Sequence, residues 1–290
     1  MIRMVRKYHP FLNLYKWCVI IMKKEKEVRK SSRLLMIFEL LCVLIFIYAI
    51  LQMISIYQDY HIASKEYEAL SEHVTIVEKS ESNKIENGEE SETDDEINIP
   101  DYYVDLEAVK LQNEDTIGWI ILPDSKINYP ILKSKDNAEY MNTTFEGQRS
   151  SSGAIFMDML CESDFSDENT IIYGHNMKNG SMFRALNNLT DKEYFFKHRI
   201  FCIDMGNGFE NYEIISCYET VETNFSSWQI SFDSKEAYGK WLENIAKRCT
   251  YDCMDYDVDK NTITLSTCRG KAGGPGRFVV HLQKKDKGGN

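Results

Sequence analysis

A cysteine near the C-terminus stands where the sequence could support nucleophilic chemistry. Residues 263–267 alternate apolar and polar side chains and are rich in β-branched types, which predicts a strand that ends at Cys268. A glycine-rich turn follows, and alternation resumes at Arg277, which predicts a second strand. If these strands are neighbours, a thiol and a guanidinium face one cleft. The cation would favour the thiolate, the form that attacks carbonyl carbon, and would stabilise the resulting oxyanion.

A histidine in the middle of the chain could supply the proton that such a reaction needs. An apolar predicted strand, 170–173, is followed by Gly174 and then by His175. An imidazole at this position can protonate the leaving amine of an acyl group under attack. His281 shares a strand face with Arg277, but four residues at about 3.3 Å each place it about 13 Å away. His175 is therefore the better candidate.

The sequence around these residues resembles the sortase family. The segments that carry the resemblance are, in chain order, Tyr173-Gly-His-Asn-Met177, Thr264-Leu-Ser-Thr-Cys268 and Gly276-Arg-Phe-Val-Val-His281. The longer run 173–183 is similar to class B sortases in particular, and the similarity extends over about residues 102–284. Class B members carry a helix between the sixth and seventh strands, and an amphipathic helix is predicted there at 235–248.

The resemblance implies a cysteine transpeptidase. Cys268 would attack the carbonyl after the Thr of a C-terminal sorting signal on an exported protein, Arg277 would hold the oxyanion, and His175 would protonate the departing amine. An amine of a peptidoglycan precursor or cross-bridge would then resolve the thioacyl-enzyme and join the partner to the cell wall. The family also has substrate contacts at the positions that match Ser266 and Asn137. No cofactor and no metal are expected.

Other classes of function stay open on the residues alone. A different cysteine acyltransferase or hydrolase would use the same chemistry. A non-catalytic, membrane-tethered binding module would keep its role after Cys268→Ala. A pilin-polymerising sortase would share the catalytic residues, but the predicted helix at 235–248 favours class B. A nucleic-acid partner is not expected, because the exported part is strongly acidic and repels phosphate.

The charge distribution and one apolar run indicate a membrane anchor that contacts lipid. Residues 1–33 hold ten Lys or Arg and two Glu, a net of +8, which leaves −19 for the rest of a chain whose net charge is −11. Residues 34–51 contain one charge, Glu39, and are close to the length that crosses a bilayer. The basic flank predicts a cytosolic N-terminus and an extracellular remainder. A cleaved signal peptide is the alternative, but no small-residue cleavage site follows the run.

Four regions are predicted along the chain. A basic cytosolic segment covers residues 1–33, where Met22 is an alternative start. A transmembrane helix covers 34–56, and a stalk that is first helical and then acidic and flexible covers 57–100. The catalytic domain covers 101–290, and its eight strand patterns with few helices predict a mainly β fold. We expect an eight-stranded, closed or nearly closed β-barrel of the sortase type with peripheral helices.

The strands of this barrel are predicted at 116–122, 127–132, 154–157, 170–173, 199–205, 211–220, 262–268 and 277–283.

Cysteine usage raises the separate question of disulfides in an exported chain. Cys268 must stay reduced to act, and five other cysteines follow the membrane segment, so complete pairing within one chain is impossible. Cys249 and Cys253 lie four residues apart, and the sequence leaves open whether they pair.

Overall fold

The computed structural model of the chain describes residues 32–77, 99–251, 253, 255–270 and 273–286. The chain divides into two compact units, Met1–Tyr57 and Gln58–Asn290. Most of the predicted basic segment, with the alternative start, and the acidic tract at 78–98 lie outside the described residues. The predicted barrel falls in the second unit.

The helices and strands follow one another with short connections. In chain order they are α1 (Ser32–Ser71), β1 (Val74–Val77), β2 (Asp101–Val104), α2 (Leu106–Lys110), β3 (Thr116–Ile121), β4 (Asn128–Leu132), β5 (Ile155–Met157), β6 (Asn169–Tyr173), a 3₁₀ helix (Phe183–Thr190), α3 (Lys192–Lys197), β7 (Ile200–Asp204), β8 (Phe209–Val221), a second 3₁₀ helix (Phe225–Trp228), α4 (Lys235–Ala246), β9 (Thr262–Cys268) and β10 (Gly276–Lys284).

Eight of these strands close into a barrel in the order β10-β8-β7-β3-β4-β5-β6-β9. Each corresponds to one of the eight predicted strands, with ends shifted by a residue or two. Most neighbours are antiparallel, whereas β4 and β5, and β6 and β9, run parallel. The predicted eight-stranded barrel with few helices is confirmed.

The two faces of β9 and β10 belong to different layers. Leu265 of β9 and Val280 of β10 point into the main core of the barrel. Val279 points outward and packs with Trp241 and Leu242 of α4 in a second cluster. Since strand side chains alternate between faces, both layers are built from one pair of strands. The outer face of this pair therefore has a helix packed over part of it.

The α4 helix is the class B feature expected from the sequence, and it forms where predicted. Ser234 caps its N-terminus by accepting a hydrogen bond from the backbone N–H of Ala237. Trp241, Leu242 and Ile245 recur at helical spacing and are buried against the barrel. Burying each such side chain contributes about 1.5–3 kcal/mol, so the helix is held by this stripe.

The structure differs from the predicted stalk over residues 58–77. Ala63, Tyr67 and Leu70 of α1 are buried in the same core cluster as the barrel. They stand at positions i, i+4 and i+7, which form one apolar helix face, and that face is covered by the barrel. After α1, β1 pairs antiparallel with β2. The compact unit therefore begins before the predicted domain boundary at residue 101.

The N-terminal half of α1 carries the apolar run. Among the described residues, one helix is long and apolar enough to cross a membrane, and its candidate span is Leu35–Ser71 with a mean hydropathy of 2.5 in its most apolar window. None of that window is buried inside the protein. Length, composition and exposure make this helix a candidate membrane anchor.

Candidate active site

The register between β9 and β10 sets the cysteine beside the arginine. Cys268 and Arg277 are direct partners across this antiparallel pair. Directly opposed residues project to the same face with Cβ atoms about 4.5–5.5 Å apart. This is the outer face, because Val279, two residues after Arg277, belongs to the cluster under α4. Both side chains are partly exposed, so the thiol and the guanidinium stand together at the end of a sheet.

The parallel pairing of β6 with β9 brings the histidine to the same edge. Tyr173 and Ser266 are register partners, and His175 and Cys268 each lie two residues further along. The backbone N–H of Gly174 donates to the Ser266 carbonyl at 3.2 Å. Parallel neighbours lie about 4.8 Å apart. The chain segments that carry His175 and Cys268 therefore leave the sheet side by side.

The next residue ties these segments together. Asn176 donates from Nδ2 to the backbone carbonyl of Cys268 at 2.8 Å. Arg184 donates in turn to Oδ1 of Asn176 at 3.2 Å, which fixes the orientation of the amide. Asn176 lies within one of the three sequence motifs, but its residue type predicted no role for it. Its contact is made to a backbone atom, so residue types alone do not reveal it.

The glycine before the histidine is required by close packing. A Cβ added to Gly174 would lie 2.5 Å from Cδ1 of Ile155 and 2.7 Å from the ring of Phe183. The backbone N–H of Phe183 also donates to the His175 carbonyl at 2.9 Å. The chain thus passes tightly over the end of the barrel core, and the backbone of His175 is held on both sides.

The imidazole of His175 has a backbone partner. Its Nε2 lies 2.7 Å from the carbonyl oxygen of Met141. A carbonyl oxygen can only accept, so Nε2 carries a proton in this arrangement. Met141 belongs to the segment 140–153 between β4 and β5. A ring nitrogen that holds a proton at a partly exposed site is suited to donating it to a leaving group.

The guanidinium of Arg277 is held by its own loop and by a carboxylate. Nη1 donates to the carbonyls of Gly274 at 2.8 Å and Gly276 at 2.9 Å. Nη2 forms an ion pair with Glu222, the residue that follows β8. These contacts limit the positions that the guanidinium can take. Glu222 was not identified from the sequence, since its proximity depends on the pairing of β8 with β10.

Ser266 lies close to this edge of the sheet. It precedes Cys268 by two residues and therefore shares its face. It is opposite Val279 in the register with β10, and 3 % of its surface is exposed. The sequence-predicted residue is therefore beside the cysteine but mostly covered.

Asn137 lies in a chain of hydrogen bonds that leads to Tyr173 on β6. Its Nδ2 donates to Asp158 at 3.0 Å, and its Oδ1 accepts from the Met159 backbone N–H at 2.7 Å. Asp158 also accepts from the hydroxyl of Tyr173 at 2.8 Å. Burial, with the Asp158 carboxylate second, raises the pKa of Tyr173 well above its usual value. The phenol thus stays a donor, and the hydrogen-bonded chain from Asn137 ends at Tyr173, the register partner of Ser266.

The remaining cysteines are in different environments. Burial raises the pKa of Cys161, Cys202 and Cys217 to about 12, so these thiols stay protonated near neutral pH. Cys249 and Cys253 form a disulfide. Among the free cysteines described in the Gln58–Asn290 unit, Cys268 alone is not buried. It is accordingly the thiol that solvent and a substrate can reach.

Together these groups define a class of protein. A partly exposed thiol, a cation directly across the sheet and a proton-bearing imidazole at the same strand edge are the components of nucleophilic acyl transfer. They stand on the outer face of a closed, mixed β-barrel. The fold and the site are those of a cysteine-dependent acyltransferase.

Comparison with known proteins identifies the family within this class of acyltransferases. The family model described as the sortase domain matches residues 120–285, more than half of the chain. The chain belongs to the sortase family, and it is a cysteine transpeptidase. Sortase B of Listeria monocytogenes is 35 % identical over 165 residues, which cover 57 % of this chain and 67 % of that protein. Sortase B of Staphylococcus aureus is 30 % identical over 164 residues, covering 56 % and 67 %.

Solved structures point to the same subclass. Sortase B from B. anthracis in complex with AAEK1 superposes with a TM-score of 0.64 at 29 % identity, covering 80 % of this chain and all of that one. The Staphylococcus aureus sortase B–substrate complex gives a TM-score of 0.59 at 28 % identity, covering 62 % and 84 %. The resemblance inferred from the three motifs is confirmed at the level of family and class.

Proposed function

We propose that this chain is a membrane-anchored class B transpeptidase that cleaves a C-terminal sorting signal after its Thr and transfers the acyl group to a peptidoglycan amine. The observation that carries the proposal is the shared edge of β6, β9 and β10. Cys268 lies directly opposite Arg277, and His175 and Cys268 each follow the register pair Tyr173–Ser266 by two residues. Each group in the reaction has a counterpart there.

The first half-reaction forms a thioester. The Cys268 thiolate attacks the carbonyl carbon after the Thr, and the negative charge moves to the carbonyl oxygen. Arg277 stabilises that oxyanion by charge-assisted hydrogen bonds. The intermediate collapses, the carbon–nitrogen bond breaks, and His175, acting as the imidazolium, gives one proton to the departing amine and becomes neutral. The thioacyl-enzyme and the cleaved C-terminal peptide result.

The second half-reaction reverses these roles. The amine of the acceptor attacks the thioester carbonyl, and neutral His175 accepts a proton from the attacking nitrogen. The carbon–sulfur bond breaks, the Cys268 thiolate is regenerated, and a new amide joins the partner to the acceptor. Attack by water in place of the amine gives hydrolysis.

Ser266 and Asn137 are proposed to take part in substrate binding in different ways. Ser266 shares the outer face with Cys268, so a peptide bound along β9 passes over it. Both ends of the Asn137 amide bond within the protein. Its role is therefore to orient Asp158 and the loop at Met159 beside the bound peptide.

The substrate and acceptor classes are supported by relatives. One structural neighbour is the Staphylococcus aureus sortase B–substrate complex, and another is sortase B complexed with triglycine, a peptide that offers an amine. We extend both to this chain as an exported protein with a sorting signal and a peptidoglycan precursor or cross-bridge amine. The basic N-terminal segment remains in the cytosol, the apolar part of α1 lies among membrane lipids, and the barrel acts outside.

The decisive experiment looks for the covalent intermediate. The full chain in detergent is incubated with a small library of sorting-motif peptides, and the products are measured by intact-protein and peptide mass spectrometry. We expect one motif class to add an acyl group to Cys268, and added triglycine to release it as a new amide. Cys268→Ala should abolish the adduct, whereas Cys202→Ala at a buried thiol should keep it.

Two outcomes would overturn the proposal. The first is an adduct that persists in Cys268→Ala with the fold intact by circular dichroism. The second is a Cys268→Ala protein that retains its biological role in cells, which would favour the non-catalytic binding module. Retained turnover in His175→Ala would remove the assigned role of the histidine.

A further inference from the structure

The segment 140–153, which holds the imidazole of His175, is itself held by α1. The hydroxyl of Tyr67 donates to the Gly153 carbonyl at 2.7 Å. The Glu66 carboxylate accepts from the backbone N–H of Glu146 at 2.8 Å. Two different points of the segment are therefore bonded to consecutive residues of one helix.

The segment is internally paired, so a restraint at one point reaches the others. The backbone N–H of Ser150 donates to the Asn142 carbonyl at 2.9 Å, and that of Thr144 donates to the Gln148 carbonyl at 2.8 Å. These backbone bonds make residues 142–150 a small closed hairpin. A contact at Glu146 thus restrains the residue that follows Met141.

Gly153 transmits the second restraint directly. It has a φ of +54°, and an added Cβ would lie 2.8 Å from the Met141 carbonyl oxygen and closer still to that of Tyr140. Ala154 also donates to the Tyr140 carbonyl at 2.9 Å. The backbone of Gly153 is therefore packed on the Tyr140–Met141 peptide, so displacement of Gly153 displaces the carbonyl that His175 contacts.

Both helix residues are buried, which distinguishes them from surface contacts. Tyr67 is 7 % exposed and Glu66 is 6 % exposed. The Tyr67 ring packs edge-on against Tyr129 at 5.2 Å between centroids. Burial raises the pKa of Glu66 above its usual value, and the opposing influences are hydrogen bonds from the Thr144 side chain and the Glu146 backbone. Both of these donors belong to the segment 140–153, so the buried carboxylate is directed at that segment.

We infer that Glu66 and Tyr67 are positioning residues for His175. They fix the segment 140–153 so that the Met141 carbonyl, which accepts from Nε2, holds the imidazole in one orientation for proton transfer. The inference rests on the proposed function, in which His175 protonates the leaving amine. The end of α1 is on this basis part of the catalytic apparatus, although neither residue touches the substrate.

The first test compares two tyrosine variants of the full chain. Tyr67→Phe removes one buried hydrogen bond to Gly153, and we expect kcat for cleavage of the sorting-motif peptide to fall about fivefold to tenfold with KM unchanged. The matched control is Tyr212→Phe. Tyr212 is as buried as Tyr67 and lies on β8, near the end of that strand that is far from Glu222 and the proposed site. It should leave kcat unchanged. A loss of melting temperature in Tyr67→Phe with unaltered kcat would show a purely structural role and overturn the inference.

The second test uses rescue by a conservative variant. Gln at position 66 keeps a carbonyl oxygen that can accept from Glu146, whereas Ala does not. We expect Glu66→Ala to lower kcat by about fivefold to tenfold and Glu66→Gln to restore most of it. Glu68→Ala, at an exposed position of the same helix, is the control. Equal activity of Glu66→Ala and Glu68→Ala would reject the role of Glu66.

Failure of the inference can be told apart from failure of the proposed function. If His175→Ala retains turnover, the assigned role of the imidazole is wrong and the inference falls with it. If His175→Ala abolishes turnover while Tyr67→Phe and Glu66→Ala turn over like the unmodified chain, the function stands and only the positioning role is rejected. We expect all three variants to remain folded by circular dichroism and to differ in kcat.

Discussion

Among single residues, Arg277 is the one whose chemistry depends most on shape. Its guanidinium donates to two backbone carbonyls of the neighbouring loop and pairs with Glu222. Only a planar fork can make these contacts and still present further N–H groups to an oxyanion. A lysine at this position would carry the charge without the geometry.

Arg277→Lys should therefore lower kcat by about 100-fold with a smaller change in KM, because one preorganised oxyanion contact is lost. Steady-state kinetics on the sorting-motif peptide measure both parameters. Arg199→Lys, at a partly exposed arginine paired with Glu213, is the matched control and should keep full activity. A lysine variant at 277 with near-normal kcat would remove Arg277 from the oxyanion site.

His281 is a histidine like His175 and lies on the same strand as Arg277, but its role is different. It is fully buried, and Thr264 lies 2.8 Å from its Nδ1 while the Tyr218 hydroxyl lies 3.1 Å from its Nε2. Thr264 gives its own proton to Asn169, so Nδ1 must be the donor and Nε2 the acceptor. The neutral imidazole is therefore hydrogen-bonded at both ring nitrogens.

Burial, with the nearby Arg248 second, lowers the pKa of His281 from 6.5 to about 3. The unfolded chain therefore binds the extra proton between those pH values, and stability that is complete above pH 6.5 is lost as the pH falls toward about 3. The slope from this group is at most about 1.4 kcal/mol per pH unit. Urea unfolding at several pH values should show a shallower slope for His281→Gln, and an unchanged slope would refute the assignment.

Residue types indicate the proposed reactive groups but not their partners. Cys268, His175 and Arg277 stand out because their types and strand-end positions suit acyl transfer. Met141 contributes a backbone carbonyl, which any residue has, and Glu222 is one of many acidic residues. Such contacts depend on which strands become neighbours, and no local pattern specifies that.

At the level of elements, the approach of β6 to the core explains the glycine before the histidine. No Cβ fits at Gly174 without moving Ile155 or Phe183. Both neighbours are fully buried, so they have little room to shift. The position of the His175 backbone thus depends on the absence of a side chain at the preceding residue.

Gly174→Ala should destabilise the fold by about 1–3 kcal/mol through overpacking, and should also lower kcat by displacing His175. The same substitution at Gly239 in α4 is a contrasting control, since the nearest atom is Cγ1 of Val258 at 3.4 Å. Gly239→Ala should stabilise by about 0.5–1 kcal/mol, because alanine is the better helix former. Thermal and urea unfolding measure both, and equal effects of the two substitutions would contradict this account.

The strands were predictable because alternation and β-branched residues are local signals. The pairing of β1 with β2 was not, since the two strands are short and are separated by the acidic tract. The apolar face formed by Ala63, Tyr67 and Leu70 was present in the sequence, but its covering by the barrel depends on tertiary structure. The sequence alone therefore assigns this face to the stalk and not to the barrel unit.

For the whole molecule, we propose that the apolar part of α1, a candidate membrane span, holds the chemistry at a membrane. Replacing Leu44 and Ile47 together by Arg should release the protein from membranes, because each charge at the centre of a span costs about 2.5–3.5 kcal/mol. Alkaline carbonate extraction followed by immunoblotting measures the change. Leu111→Arg, at a residue that is 91 % exposed in the barrel unit, is the control and should stay in the membrane fraction. Retention of the double variant would reject the anchor.

The parallel alignment of β6 with β9 has a consequence for how this chain can vary. Inserting one residue in either strand would turn one reactive side chain from the outside of the barrel to the inside, since successive side chains alternate. Adding residues to the turn after Cys268 or to the stretch after Val221 leaves that alignment intact. New substrate preferences can therefore arise by lengthening or shortening the loops around the reactive side chains, while the spacing from Asn169 to His175 and from Thr262 to Cys268 must keep its length.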